Sequence, residues 1–211
     1  MDIFDFIFHI DQHLENFIAQ YGLLVYGILF LIIFCETGLV ITPFLPGDSL
    51  LFAAGALAAN PAHGLSIWIM IPLLISAALL GDNTNYFIGK YLSNKGVGAK
   101  LFGIFTIKQE YIDRTHAFYE KYGQRTIILA RFVPIARTFA PFVAGIGKMT
   151  YGRFIKYCIA GAILWVVLLT FAGYFFGSLP WVKNNFEIVV LAIIAISLLP
   201  MVIGYFRRNR E

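Results

Sequence analysis

The sequence predicts an all-α polytopic membrane protein built as an inverted repeat. Each half consists of an amphipathic helix, a re-entrant hairpin and a transmembrane helix, and a further transmembrane helix closes the C-terminus. Three observations carry this reading. Of 211 residues, 59% are apolar and only 13% charged, against about 45–50% and about 25% in soluble domains. That leaves too little polar surface to cover a water-soluble particle. Uncharged stretches at 17–35, 49–81, 157–182 and 188–206 each reach the ~18 residues of a spanning helix. Finally, no Lys or Arg precedes Lys90: residues 1–89 carry seven acids and no base, and the remainder sixteen bases and five acids.

The bases flank apolar segments instead of forming the basic face of a nucleic-acid binder, so no nucleic-acid partner is expected. Clusters at 90–125, 148–156 and 207–210 mark the cytoplasmic side; the last reads as a topology anchor, with a binding site for anionic lipid as the alternative. The apolar stretch 126–147 lies between two such clusters and so does not cross once. Arg131, Pro134, Arg137 and Pro141 interrupt it, and irregular backbone at membrane depth survives only inside protein or beside water. A hairpin that enters and leaves on the cytoplasmic side is expected there. In the first half, Glu36 to Asp48 holds Gly38, Pro43, Pro46 and Gly47, and the apolar run 48–59 follows. Twelve residues span only about 18 Å as helix, short of the ~30 Å hydrocarbon core, so a second broken element is expected. Counting back from the basic loop places 60–64 and the N-terminus outside and the C-terminus in the cytoplasm. The N-terminus lacks a basic n-region and a cleavage site, and no cleaved signal peptide is expected.

Three pairs of segments echo one another in the same order. Phe17 to Gly22 resembles Phe118 to Gly123, Pro43-Phe-Leu-Pro-Gly47 resembles Pro141-Phe-Val-Ala-Gly145, and Tyr86-Phe-Ile-Gly89 resembles Tyr174-Phe-Phe-Gly177. Each half opens with an amphipathic stripe, Ile3, Ile7, Ile10, Leu14 and Phe17 in one and Tyr111, Thr115, Phe118 and Tyr122 in the other. The single membrane domain 1–211 thus divides into half-repeats 1–95 and 108–180 and a C-terminal helix at 188–206. One copy starts outside and the other inside, as in transporters whose sites sit where inverted broken helices meet.

Ionisable residues inside a membrane cost roughly 2.5–3.5 kcal/mol each on insertion scales and mark function by default. Four lie beside the helix breaks: Glu36 and Asp48 in the first hairpin, Arg131 and Arg137 in the second. Inverted hairpins bring these acids and bases together. One reading is structural salt bridges, since buried charges must be paired. The other is a site in which the arginines hold an anionic head group, their planar forks suiting phosphate, while Glu36 or Asp48 takes up a proton. Asp82, before Asn83 and Asn85, is either a helix-end hydrogen-bond partner or part of the polar pathway. Gly161, Ala162 and Gly173 permit close helix packing.

Enzymatic chemistry finds little support. Gly47-Asp48-Ser49-Leu50 is hydrolase-like, but a nucleophilic Ser needs an oriented base, and His9, His13, His63 and His116 fall in interfacial or loop positions. No metal-binding spacing or nucleophile elbow occurs, so neither metal nor cofactor is expected and the chain is read as a non-enzyme. Cys35 and Cys158 sit in apolar segments and read as packing residues.

The motifs Glu36-x-Gly38-x4-Pro43-x2-Pro46-Gly47-Asp48, Tyr86-x2-Gly89 and Arg131-Phe132-x-Pro134-x2-Arg137-Thr138-x2-Pro141-x2-Ala144-Gly145 resemble the DedA family of bacterial inner-membrane proteins. That family is related to eukaryotic lipid scramblases that share its domain. The resemblance runs from about Phe17 to Gly177. It implies a multi-pass protein of the inner membrane that translocates lipids, such as the polyprenyl carrier undecaprenyl phosphate or phosphatidylethanolamine, with dependence on the proton motive force. It further implies that Arg131, Arg137 and Thr138 bind the lipid phosphate, that Glu36 and Asp48 couple protons, and that Gly38, Pro43, Pro46, Gly47, Pro134, Pro141 and Gly145 shape the hairpins. Asp82 and Lys90 lie on the implied pathway. Lys90 departs from the Arg expected after Tyr-x-x-Gly, keeping charge without the bidentate fork. Competing functions are a proton-coupled antiporter of small cations and a structural membrane factor. The half-repeats can close within one chain or across a homo-oligomer.

Overall fold

Six helices account for nearly all of the backbone that the computed structural model describes, namely residues 10–38, 47–94, 100–101, 105–106 and 125–177 with isolated positions 179, 182 and 188. They are α1 (Ile10–Gly38), α2 (Gly47–Ala58), α3 (Ile67–Asn94), α4 (Thr126–Ala130), α5 (Pro134–Ile146) and α6 (Tyr151–Gly177), with a 3-10 turn at Pro61–His63. One departure from an all-α chain is a two-residue antiparallel ribbon, β1 (Lys100–Leu101) with β2 (Phe105–Thr106). It lies in a stretch carrying Gly96, Gly98 and Gly103, residues that disfavour helix.

Helices α3 and α6, of 28 and 27 residues, are long and apolar enough to cross a membrane; at 1.5 Å per residue each reaches about 40 Å. The side-chain distribution is that of a membrane protein. Leu23 on α1, Trp68 on α3 and Phe175 on α6 point outward, 88%, 74% and 64% exposed, while Glu36, Asp82, Asn85, Arg131, Arg137 and Thr138 are buried. A water-soluble fold reverses this order.

Two expectations are corrected. The N-terminal amphipathic stripe and the apolar stretch after it are not separate elements, because α1 is one helix from Ile10 to Gly38. Nothing between them breaks a helix, Gly22 costing only about 1 kcal/mol against Ala. Pro141 does not break the second hairpin either; α5 runs through it, losing a single backbone donor. The break falls at Arg131 to Val133. The first amphipathic residues Ile3 and Ile7, the hairpin prolines Pro43 and Pro46, the second stripe at 111–122 and nearly all of the C-terminal helix at 188–206 lie outside the described residues.

Close packing joins the helices at small residues. On α6, Gly173 faces the backbone of Phe52 and Gly177 faces Ala56, while Gly55 of α2 faces the backbone of Thr170 and Tyr174. Correspondingly, Gly89 of α3 faces Phe142 of α5, and Gly145 of α5 faces the backbone of Tyr86 and Lys90. So α2 lies on α6 and α5 lies on α3. Helices α1 and α3 cross where a Cβ on Gly38 would come 3.1 Å from the Gly81 Cα. Tyr86 ties α3 to α6, its ring stacked on Phe154 at 4.3 Å and its hydroxyl donating to the Met149 carbonyl at 2.5 Å.

Replacing Gly173 by Leu inserts a side chain into the α2 backbone and is expected to destabilise the fold by about 1–3 kcal/mol. Gly22→Leu, at a position with nothing within 4 Å, is expected to leave the melting temperature in detergent within a degree or two, about the scale of a surface change.

Candidate functional site

The site forms where α1 ends, α2 begins and the α4–α5 break opens. Val133 precedes Pro134 and takes an extended conformation, φ −114° and ψ 114°, as a residue before proline must when the helical region is closed to it. Pro134 then opens α5 in the first turn, where its missing N–H costs nothing. The Arg137 N–H closes that turn on the Val133 carbonyl at 2.9 Å. This kink carries Arg131 and Arg137 inward from two short helices.

Arg137 is held by the end of α1 and the start of α2. Its Nη1 donates to Asp48 Oδ1 at 2.8 Å and its Nη2 to Glu36 Oε1, so its fork spans carboxylates from α2 and α1. The Gly47 N–H, at the start of α2, donates to the same Glu36 oxygen at 3.0 Å. Any side chain at 47 would collide with that carboxylate, which is why glycine stands there. Glu36 is wholly buried, whereas the Asp48 side chain is 19% exposed.

Arg131 pairs elsewhere. Its Nη2 donates to Asp82 Oδ2 on α3, and both side chains are buried. Arg137 therefore makes two ion pairs, with Glu36 of α1 and Asp48 of α2, while the second arginine goes to α3. Gly161 lies beneath it, where a Cβ would sit 3.3 Å from Arg131 Nε; that glycine makes room for the guanidinium as well as for helix packing.

Two further residues complete the cluster, and neither is marked by any motif. Asn85, one turn beyond Asp82, donates from Nδ2 to the Thr37 carbonyl at 2.6 Å and to the Thr138 carbonyl at 3.3 Å, tying α1 to α5. Asp82, Asn85, Tyr86 and Gly89 recur at i, i+3, i+4 and i+7, one face of α3, and that stripe is the signal that locates Asn85. Trp165 of α6 donates from Nε1 to Asp48 Oδ1 at 2.9 Å and lies against both guanidiniums.

Among the polar atoms buried in this cluster, Glu36 Oε2, Arg137 Nε and Asn85 Oδ1 have no hydrogen-bond partner among the described residues. Thr138 is buried beside them. Lys90 stands further along α3 with its Nζ 5.9 Å from the Tyr86 ring centroid. Gly145 packs α5 on α3 and Gly38 packs α1 on α3, and Pro141 is buried within α5. Neither Cys35 nor Cys158 forms a disulfide. No group of three or more His, Cys, Asp or Glu placed to hold a metal ion occurs among the described residues.

Residues 45–175, which hold Asp48, Asp82, Arg131, Arg137 and Trp165, match the VTT domain. The molecule is therefore a VTT-domain membrane protein. Protein DedA of Escherichia coli (strain K12) is 54% identical to it over 208 residues, covering 99% of this chain and 94% of that protein. An uncharacterized membrane protein of Mycobacterium tuberculosis is 46% identical over 187 residues, covering 87% and 79%. Inner membrane protein YqjA of E. coli is 34% identical over 183 residues, covering 87% and 80%. The chain belongs to the DedA family. No solved structure matches it.

Removing one partner of a buried ion pair strands the other charge, at about 3–5 kcal/mol. Asp82→Ala is thus expected to lower the melting temperature sharply, and Asp82→Ala combined with Arg131→Leu to recover most of the loss. Thermal unfolding of the two variants in detergent checks this.

Proposed function

We propose that the protein is a lipid translocase of the bacterial inner membrane that moves a phospholipid or a polyprenyl phosphate, such as undecaprenyl phosphate, under the proton motive force. It acts by binding and moving its substrate and is not an enzyme. The carrying observation is the buried cluster of two guanidiniums among three carboxylates, with one Glu36 oxygen and the Arg137 Nε lacking a partner among the described residues. Fully ionised, that cluster has one negative charge in excess, counting Glu36, Asp48 and Asp82 against Arg131 and Arg137. A lipid phosphate cannot simply add to it. The phosphate displaces a carboxylate from Arg137, and the displaced carboxyl takes a proton, so anion binding and proton uptake are one exchange. Thr138 lies beside the phosphate, and Asp82 and Lys90 line the path to it.

The inverted repeat fits this use. The hairpin helix of each proposed half packs on the spanning helix of the other, α2 on the Tyr174-x2-Gly177 end of α6 and α5 on the Tyr86-x2-Gly89 stretch of α3. That exchange, together with the echoed motifs, supports two re-entrant elements of opposite sense meeting at the arginines, with the N-terminus external and the C-terminus cytoplasmic. The half-repeats close within one chain, and a homo-oligomer is compatible with the lipid-facing surfaces. The name of the relative YqjA, an inner membrane protein, supports the location.

The satisfied fork of Arg137 favours a second reading, in which Glu36 and Asp48 are structural partners only. Exchanging the charges, with Glu36→Arg and Arg137→Glu together, separates the two: restored cell-envelope function in the exchanged protein sinks the translocase, and loss in a folded protein speaks against the structural role.

In liposomes with a pH gradient, the protein is expected to move labelled polyprenyl phosphate or phosphatidylethanolamine. Arg137→Ala should slow that movement by on the order of 10²-fold, the equivalent of about 3 kcal/mol for a lost charged hydrogen bond. Glu36→Gln should abolish the dependence on the gradient. A folded wild type that moves neither lipid under any gradient overturns the proposal and turns attention to small-cation antiport.

A further inference from the structure

Two carboxyls meet Arg137, and the molecule does not treat them alike. Asp48 Oδ1 accepts from both Arg137 Nη1 and Trp165 Nε1, and the Asp48 side chain is part exposed. Glu36 Oε1 accepts from Arg137 Nη2 and the Gly47 N–H, but Oε2 has no donor among the described residues and the side chain is wholly buried. Donors to a carboxylate favour its ionised form, and burial without a donor favours the acid. Each carboxylate accepts two donors, and they differ in burial and in the source of the second one: Glu36, wholly buried, takes it from the Gly47 backbone, and Asp48, part exposed, from the Trp165 side chain.

Trp165 is 1% exposed. A buried indole N–H needs an acceptor, and here it is the Asp48 carboxylate. The ring face attracts cations, and the guanidinium carbons of Arg137 and Arg131 lie 5.1 and 5.8 Å from its centroid. A single side chain from α6 thus touches three of the five charged groups and joins the Arg137 pair to the Arg131–Asp82 pair. The charged groups around Glu36 are Arg137 from α5 and Asp48 from α2, with Asp82 of α3 and Arg131 of the α4–α5 break one pair beyond.

We propose that Trp165 is the positioning residue that divides the work of the two carboxyls: its N–H holds Asp48 as the standing counter-ion of Arg137, and its ring supports the guanidinium while Glu36 exchanges. The proton adds to Glu36 Oε2, the carboxylate becomes a neutral acid, and Arg137 keeps Asp48 and frees Nη2 for an anion. This rests on the translocase reading for its purpose, and it is tested without moving any lipid.

Infrared spectroscopy of the full chain in lipid vesicles, titrated with pH, reads the carbonyl band of a protonated buried carboxyl. In the wild type, one such band is expected, lost in Glu36→Gln and kept in Asp48→Asn. Trp165→Phe keeps a ring and removes the N–H; a second titrating carboxyl should appear, and adding Asp48→Asn should remove it. A Trp165→Phe protein that titrates like the wild type overturns the proposal, as does a wild-type band that survives Glu36→Gln and vanishes in Asp48→Asn. Should Trp165→Phe fail to fold, the Trp165 indole N–H resonance of labelled protein decides: it should move in Asp48→Asn and stay in Glu36→Gln, and no movement in Asp48→Asn counts against the role. A wild type that moves no lipid while these titrations hold leaves Trp165 in place and sinks only the transport reading.

Discussion

A guanidinium cannot stay in an apolar interior alone, and in this molecule the need to pair Arg137 fixes how its helices meet. Its two nitrogens take carboxylates from the end of α1 and the start of α2, so both helix ends and the kink at Val133 and Pro134 must converge on one point. The smaller contacts follow from that convergence. Gly47 has no side chain because Glu36 occupies the space, Gly38 and Gly81 let α1 and α3 cross closely enough for Asn85 to reach two carbonyls, and Gly161 leaves room for Arg131. Each of these glycines serves the charges as much as the packing.

The polar cluster is surrounded by a surface that suits lipid. Exposed apolar side chains line α3, α6 and the described part of α1 from Leu23 to Leu31, which inverts the pattern of a soluble fold and leaves the interior as the place where polarity is concentrated. In such a setting no hydrophobic force draws helices together, so association relies on close backbone approach and on polar contacts. Both are present in the same elements: α6 offers Gly173 and Gly177 to α2, and Trp165 to Asp48.

Much of this was legible in the sequence, for physical reasons. Long uncharged runs announce α6 and the first half of α3, though the run at 49–81 also holds α2 and the turn after it, a division that only Asn60-Pro61 marks. Four charges beside prolines announce the cluster, because charges in such surroundings must find one another. The assignment of partners was not legible. Arg131 goes to Asp82 and not to Glu36 or Asp48, which depends on how α3 is rotated and translated against the kink, a quantity no local pattern records. Trp165 escaped notice because a tryptophan in an apolar helix is ordinary; only its neighbours give it a task. The merging of the N-terminal stripe and the first apolar stretch into α1 shows the converse limit, since a change of amphipathic character marks a change of surroundings and not an end of helix.

The exchange of partners between early and late segments also bears on how the chain is made. Glu36 and Asp48 are synthesised 101 and 89 residues ahead of Arg137, and no Lys or Arg precedes Lys90. At about 5–20 residues per second, that interval lasts roughly 5–20 s. During it, two acids and the α2 helix have reached the bilayer without their guanidinium or their α6 surface. Assembly of this protein is therefore a matter of timing: the first segments must be sheltered at the membrane interface or by the insertion machinery until α5 and α6 arrive, and the interior cannot close before Arg137 and Trp165 have been made.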